Sequence, residues 1–266
     1  MGIDQPLYVQ LGRYVVQVLS GNLGYSLVSN APVVDLILER FPATLLLMAS
    51  QYTLAAVVGI LLGVLSARRP GSGVDTSLTF LSLASFSIPI FWLGQMLLLV
   101  FAYNLSWFPV QGMMDLREGY TGWRLWLDIA HHLVLPVTTL TIFNMGLILR
   151  LTRSSMIQVM SQDFIKVAYA KGLSERVVLL RHALRNALLP VVTVVDMEIP
   201  GLIAGAVLTE TVFAWPGLGR LTFNAINARD YPLLMGMFVF ISFFVIVANL
   251  IVDVLYGLLD PRIRYR

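Results

Sequence analysis

Apolar residues fall in long blocks along this chain, and polar residues are confined to short stretches between them. Five blocks approach the ~20 residues that a bilayer core demands of a helix. They are residues 44–66, 80–103, 133–151, 188–209 and 233–257, and each is read as a membrane-spanning helix. Pro89 lies in the second and Pro200 in the fourth. Each removes a backbone N–H, so a kink is expected in both spans. Residues 1–43 are mixed. Leu7, Leu11, Tyr14, Val15 and Val18 follow a helical period, Asn22-Leu23-Gly24 breaks it, and Pro32 suits the first turn of a second short helix, 32–41. This pattern predicts amphipathic helices that lie on the membrane or cover the bundle, with core packing as the alternative. No basic n-region followed by an apolar h-region opens the sequence, so no signal peptide is expected.

The longest polar interruption is Ser161 to Pro190. It carries Lys166, Lys171, Arg176, Arg181 and Arg185 against Asp163 and Glu175. The spacing predicts two short helices. Ser161 is placed to cap the first, Asp163 sits in its first turn, Lys171 in its last, and Gly172 is placed to end it in a left-handed conformation. Ser174 is placed to cap the second, on which Leu173, Val177, Leu180 and Leu184 form an apolar stripe. A basic helix-Gly-helix between spans suits a knuckle that docks on a soluble partner. A basic loop obeying the positive-inside rule would carry the same charges.

Composition agrees with the blocks: 58% of residues are hydrophobic, 12% are charged, and the mean hydropathy is +0.79. The expected class is an all-α polytopic membrane protein, not a soluble domain. With no cysteine there is no disulfide framework, thiolate metal site or cysteine nucleophile. No Gly-x-x-x-x-Gly-Lys-Ser/Thr occurs, so the chain is not itself a P-loop ATPase. No cofactor and no nucleic-acid partner is expected. The 67–77 loop, the 150–187 loop and the tail hold twelve of the eighteen Lys and Arg residues. That places them, and the C-terminus, inside. Five spans then put residues 1–43 outside.

At the basic stretch the chain resembles the cytoplasmic loop of ABC-importer permeases, which begins Glu-Ala-Ala with a glycine four residues after the second alanine. Here those positions read Lys166, Val167, Ala168 and Gly172. The family's Ile-x-Leu-Pro ending reads His182, Ala183, Leu184 and Arg185, with a proline only at Pro190. Met1-Gly-Ile-Asp-Gln-Pro, Gly21-Asn-Leu-Gly-Tyr-Ser, Pro42-Ala-Thr, Ser87-Ile-Pro-Ile-Phe-Trp and Trp107-Phe-Pro-Val-Gln-Gly are similar to the "B"-type dipeptide/oligopeptide (nickel) permeases. So are the longer Glu210-Thr-Val-Phe-Ala-Trp-Pro-Gly-Leu-Gly-Arg-Leu and Asn249-Leu-Ile-Val-Asp-Val-Leu-Tyr-Gly-Leu-Leu-Asp-Pro-Arg. The resemblance implies a type-I ABC-importer transmembrane domain over 42–257, with an extracytoplasmic segment, 1–41, ahead of it and a cytoplasmic tail, 258–266. It also implies a bacterial inner-membrane location, a coupling loop at 161–187 and no catalysis by this chain. Its partners would be a second homologous permease, two ABC ATPase subunits and an extracytoplasmic solute-binding protein. Within the loop, Lys166, Ala168, Lys171, Gly172, Leu173, Ser174, Glu175 and Arg176 are the residues expected to meet the ATPase. Family members have six spans. The sequence starts at the outside segment, so a first helix lost to a truncated gene model or a misplaced start codon is expected.

Asp196 and Glu198 lie inside the fourth span. A carboxylate near the bilayer centre costs about 2.5–3.5 kcal/mol on insertion scales, so it usually meets a cavity, a partner or a functional path. Asp196 shares a face with Pro200, whose missing N–H frees a carbonyl, and the two together would suit a passing ammonium group such as a peptide amino terminus. Glu198 shares a face with Gly201 and Gly205, which invite close helix packing. A structural contact to another helix is the alternative for both. An intramembrane enzyme using this pair is a further alternative, although residues two apart point to different faces of one helix. His131 and His132 are adjacent at a span mouth, where interfacial solvation fits better than a metal site. Peptides, nickel chelates and glutathione-like solutes all remain open as cargo.

Overall fold

The computed structural model describes residues 6–197 and 206–259, with side chains described for 6–193, 206–247, 249 and 250. The described structure is helices joined by loops, with a single antiparallel bridge between Tyr25 and Pro32. In chain order the helices are α1 (Leu7–Leu19), α2 (Val33–Arg68), α3 (Gly73–Ser87), α4 (Ile90–Leu97, continued as a π-helix over Leu98–Asn104) and α5 (Trp123–Met160). Then come α6 (Asp163–Ala170), α7 (Glu175–Val177, followed by a π-helical turn, Val178–Ala183), α8 (Leu184–Met197), α9 (Val207–Val212), α10 (Leu218–Ala228) and α11 (Tyr231–Leu259).

Helices α2 and α5 are each long and apolar enough to cross a membrane. They contain the expected first and third spans. The separate helix expected at 32–41 does not exist: α2 runs unbroken from Val33 through Pro42 to Arg68. One missing backbone bond does not end it, because Ala43, Thr44, Leu47 and Met48 are already buried against neighbours. Pro89 has the larger effect. Ile88 is extended, with φ −87° and ψ 124°, as the residue before a proline prefers. The second apolar block is therefore two helices bent by 102°, a far sharper break at Pro89 than an ordinary kink. The fourth expected span is described only in part, since α8 is described as far as Met197 and the chain is next described at 206; Pro200 lies outside the described residues. The fifth block lies within α11.

The core forms along the contact between α2 and α5. At one end Ala43, Leu47 and Met48 pack with Ile129, Val137, Leu140 and Trp215. In the middle Ala55 meets Met145, Ile148 and Val191. At the other end Ala67 meets Met156 and Val159. Gly59 and Gly63 let the two backbones approach: a Cβ on Gly63 would lie 2.6 Å from Thr152 Cβ and 2.9 Å from the Leu149 carbonyl oxygen. Gly146 does the same for α3, where a Cβ would fall on Ser85. A further cluster of Val33, Ile37, Leu218, Ala225, Leu233 and Met237 joins the start of α2 to α10 and α11. Leu61, Phe80, Phe238, Phe243 and Ile246 point outward, which suits a surface whose solvent is lipid.

Overpacking this contact should therefore be costly. Gly63→Val is expected to destabilise the protein by about 1–3 kcal/mol, whereas Gly12→Ala, where nothing lies within 4 Å, should be close to neutral. Thermal unfolding of both variants in detergent checks this. Equal stability of the two would remove the α2–α5 contact as the core.

The candidate docking knuckle

Between α5 and α8 the chain makes the helix-turn-helix that the polar stretch predicts, with different caps. Ser161 Oγ donates to the Gln158 carbonyl, closing α5, and Gln162 rather than Ser161 takes the N-cap position of α6. Asp163 lies in the first turn of α6 and pairs with Lys166 at 2.8 Å on the open surface. After Ala170 the chain reverses through Gly172, at φ +75°, whose N–H donates to the Tyr169 carbonyl. This is the left-handed helix ending that glycine favours. Ser174 does occupy the N-cap position of α7, but its side chain makes no capping hydrogen bond; its carbonyl instead accepts from Val178 N–H.

One face of the knuckle is buried. Ile165, Ala168, Val178, Leu179 and Ala183 pack on Ala67, Met156 and Val159, with Leu173 half-buried beside them. Of the residues expected to meet a partner, Lys166, Lys171, Gly172, Ser174, Glu175 and Arg176 are exposed, while Ala168 is a packing residue. Phe164, Val167 and Tyr169 are also exposed and add apolar area between the charges. The stripe expected from Leu173, Val177, Leu180 and Leu184 is displaced: Val177 and Leu180 face outward, while Val178, Leu179 and Ala183 face in. The cause is the π-helical turn over Val178–Ala183. It accommodates one extra residue, so a period of 3.6 does not hold there.

Two polar contacts beside the knuckle have no counterpart in the sequence reading. Arg68, the last residue of α2, donates from Nε to Glu175 Oε1 at 2.6 Å and from Nη2 to Oε2 at 3.0 Å. Hydrogen bonding from this guanidinium holds the Glu175 carboxyl below its ordinary range. Asp75, almost fully buried in the first turn of α3, gathers Ser66 Oγ of α2, the Gly71 N–H and a two-pronged Arg153 of α5, at 2.5–2.8 Å. Arg68 and Glu175 are 107 positions apart, a separation that leaves no sequence signal. Ser72-x-x-Asp75 did carry one. It is a capping pattern, and Ser72 Oγ accepts from the Asp75 N–H.

At the far end of the bundle the important carboxylate is Glu210, fully buried, and neither of the two singled out from the sequence. It accepts from Thr44 Oγ1 at 2.9 Å and from the Arg220 N–H at 3.0 Å, while Thr44 Oγ1 accepts the Leu218 N–H. Glu210 thus caps α10 and ties it to α2. Trp215, also fully buried, donates from Nε1 to the Ala43 carbonyl. Gly217 has no room for a side chain, since a Cβ there would fall on the Glu210 carboxyl. Asp230 joins Ser26 and the Leu27 and Val28 N–H groups to the start of α11. Burial acts to raise its carboxyl, and these hydrogen bonds more than offset that, leaving it below the ordinary value. His131 is exposed, as interfacial solvation implies, and His132 is buried; each makes a fastening contact. His131 Nε2 donates to the Trp107 carbonyl at 2.9 Å, and buried His132 sits 3.2 Å from Asp128. Among the described residues no cluster of His, Cys, Asp and Glu could hold a metal ion. Glu198 lies outside the described residues, and Asp196 outside the described side chains.

Residues 59–265 match the family described as the binding-protein-dependent transport system inner membrane component. The chain is 44% identical over 265 residues to the oligopeptide transport system permease protein AppB of Bacillus subtilis, covering 99% of this chain and 83% of that one. It is 42% identical over 280 residues to the di/tripeptide transport system permease protein DppB of Pseudomonas aeruginosa, covering 100% and 83%. Among solved structures, the inward-facing MetNI methionine ABC transporter superposes with a TM-score of 0.65 at 15% identity, over 85% of this chain and 97% of that one. At that identity the likeness concerns fold: a type-I ABC-importer transmembrane domain, as the resemblance implied. The relatives are transport permeases, so an intramembrane enzyme is not favoured.

The Glu210 arrangement makes a prediction. Glu210→Ala leaves the Thr44 hydroxyl and the Arg220 N–H without their acceptor, at about 1–3 kcal/mol for each unsatisfied buried group. Glu210→Gln keeps one acceptor oxygen and should lose less. Thermal unfolding and tryptic cleavage at Arg229 report the loosening, and an alanine variant as stable and resistant as wild type would dismiss the clamp.

Proposed function

Because the chain belongs to the binding-protein-dependent transport system inner membrane component family, we infer that it works as the pore-forming permease subunit of a bacterial ATP-driven importer whose cargo is peptides. The relatives named above transport oligopeptides and di- or tripeptides, and the near-full-length likeness to them supports peptides over nickel chelates or glutathione-like solutes. The observation that carries the mechanism is the knuckle. A buried apolar face fixes it to the bundle, and an open face presents Lys166, Lys171 and Arg176 with Phe164, Val167 and Tyr169. That surface suits docking of an ATPase subunit on the cytoplasmic side. It also agrees with the excess of Lys and Arg in the 67–77 and 150–187 segments and in the tail, which favours a cytoplasmic C-terminus.

The working assembly on this reading has this permease, a second homologous permease, two ATPase subunits and an extracytoplasmic solute-binding protein. Closure of the ATPases displaces the knuckles and switches the bundle between inward- and outward-facing states. Asp196 and Glu198 belong to the translocation path, where Asp196 attracts the amino terminus of the cargo.

Gly172→Val forces a β-branched residue into a left-handed turn although nothing crowds the site. It should leave the spans inserted and weaken ATPase binding by about tenfold. Binding of purified ATPase subunits to inside-out and right-side-out vesicles measures both docking and orientation. Wild-type binding should be confined to inside-out vesicles. Binding from the other side, or an unaffected variant, would refute the assignment of the knuckle.

For Asp196, Asp196→Asn removes charge while keeping size. Uptake of a peptide with a free amino terminus should fall, and uptake of its N-acetylated analogue should change less. Equal losses, tracking a lower yield of complex, would make Asp196 a structural contact instead.

A further inference from the structure

The knuckle has covalent continuity with two long elements only. It leaves α5 through Ser161 and Gln162 and enters α8 through the π-helical turn. Helix α2 touches it without being joined to it. Ala67 contributes an apolar contact, which is non-directional. The directional contact is Arg68 with Glu175, and its two parallel N–H···O bonds fix both the distance and the orientation of the partners.

Arg68 is also well braced from behind. Two residues earlier, Ser66 Oγ donates to Asp75. The same carboxylate holds the turn through the Gly71 N–H and holds α5 through the guanidinium of Arg153. The Glu175–Arg68 pair and the Ser66–Asp75–Arg153 group are therefore joined through the last turn of α2, which links the knuckle to α2, α3 and α5.

We propose that Arg68 is a positioning residue of the transport cycle: through Glu175 it passes displacement of the knuckle to the Asp75 node, so that α2, α3 and α5 move with it as one body. The proposal rests on the knuckle being the ATPase dock. Both members of the Arg68–Glu175 pair are about half exposed, at 46% and 48%. Exposed pairs of this kind contribute little to stability. Its loss should therefore leave the fold intact and appear in coupling alone.

The experiment uses the importer assembled with its ATPase, partner-permease and binding-protein subunits in proteoliposomes, and trialanine as cargo. ATP hydrolysed per peptide imported is measured for wild type, Arg68→Glu, Glu175→Arg, the double charge swap and Arg68→Lys. Retention of the ATPase subunits is measured alongside. Arg68→Glu should raise the ratio about fivefold with the subunits retained, and Glu175→Arg, which lies on the docking face itself, should raise it likewise when the ratio is taken per ATPase subunit retained. The double swap should bring it back towards wild type, and Arg68→Lys, which keeps the charge without the fork, should fall between. An unchanged ratio in the single reversals, or a swap that fails to restore it, overturns the proposal. Loss of the ATPase from Arg68→Glu also overturns it, by making Arg68 part of the dock. A wild-type complex that binds no ATPase refutes the docking reading itself, and is told apart by the subunit measurement alone.

Discussion

Everything else in this bundle is hung on the close approach of α2 to α5. In a membrane, lipid is as apolar as leucine, so helices associate through van der Waals fit rather than through expulsion of water. Gly59 and Gly63 supply that fit by removing side chains where Ile148 and Thr152 must lie. The resulting contact presents a layered surface. Trp215 covers one end, Val191 of α8 the middle, and the knuckle's Val178 and Leu179 the other end.

The polar groups are placed where that packing stops. At the knuckle end Asp75 gathers donors from α2, the turn and α5. At the other end Glu210 and Asp230 do the same for Thr44, the start of α10 and the amino-terminal segment. Each is a buried or nearly buried carboxylate whose oxygens are occupied by several donors, which is the condition under which such a group can be tolerated away from water. The two ends differ in what they leave free. The Glu210 end closes on itself. The Asp75 end sits two residues from Arg68, whose partner, Glu175, belongs to the exposed face of the knuckle. The described helices are thus tightly packed where they cross, while the exposed Arg68–Glu175 pair links α2 to the knuckle at the surface.

Much of this protein was legible in the order of its residues. Apolar blocks of membrane length, a basic stretch with Gly172 at its middle, and long motifs such as Glu210 to Leu221 fix class, family and the position of the knuckle, because each depends on neighbours in sequence: hydropathy over a span, a left-handed turn, a capped helix end. The breaks were less legible. Pro42 and Pro89 are the same residue, yet α2 runs through one and the chain turns by 102° at the other. What differs is whether the flanking residues are already held by neighbours. The displaced stripe at Val178, Leu179 and Ala183 has the same origin, since a π-helical turn is selected by the packing it permits and not by local propensity. Tertiary structure alone decided the long-range pairs. Arg68 meets Glu175, Asp75 meets Arg153 and Thr44 meets Glu210 across separations of 107, 78 and 166 residues. No period or motif reports a partner at such distances; only the crossing of helices brings the charges together.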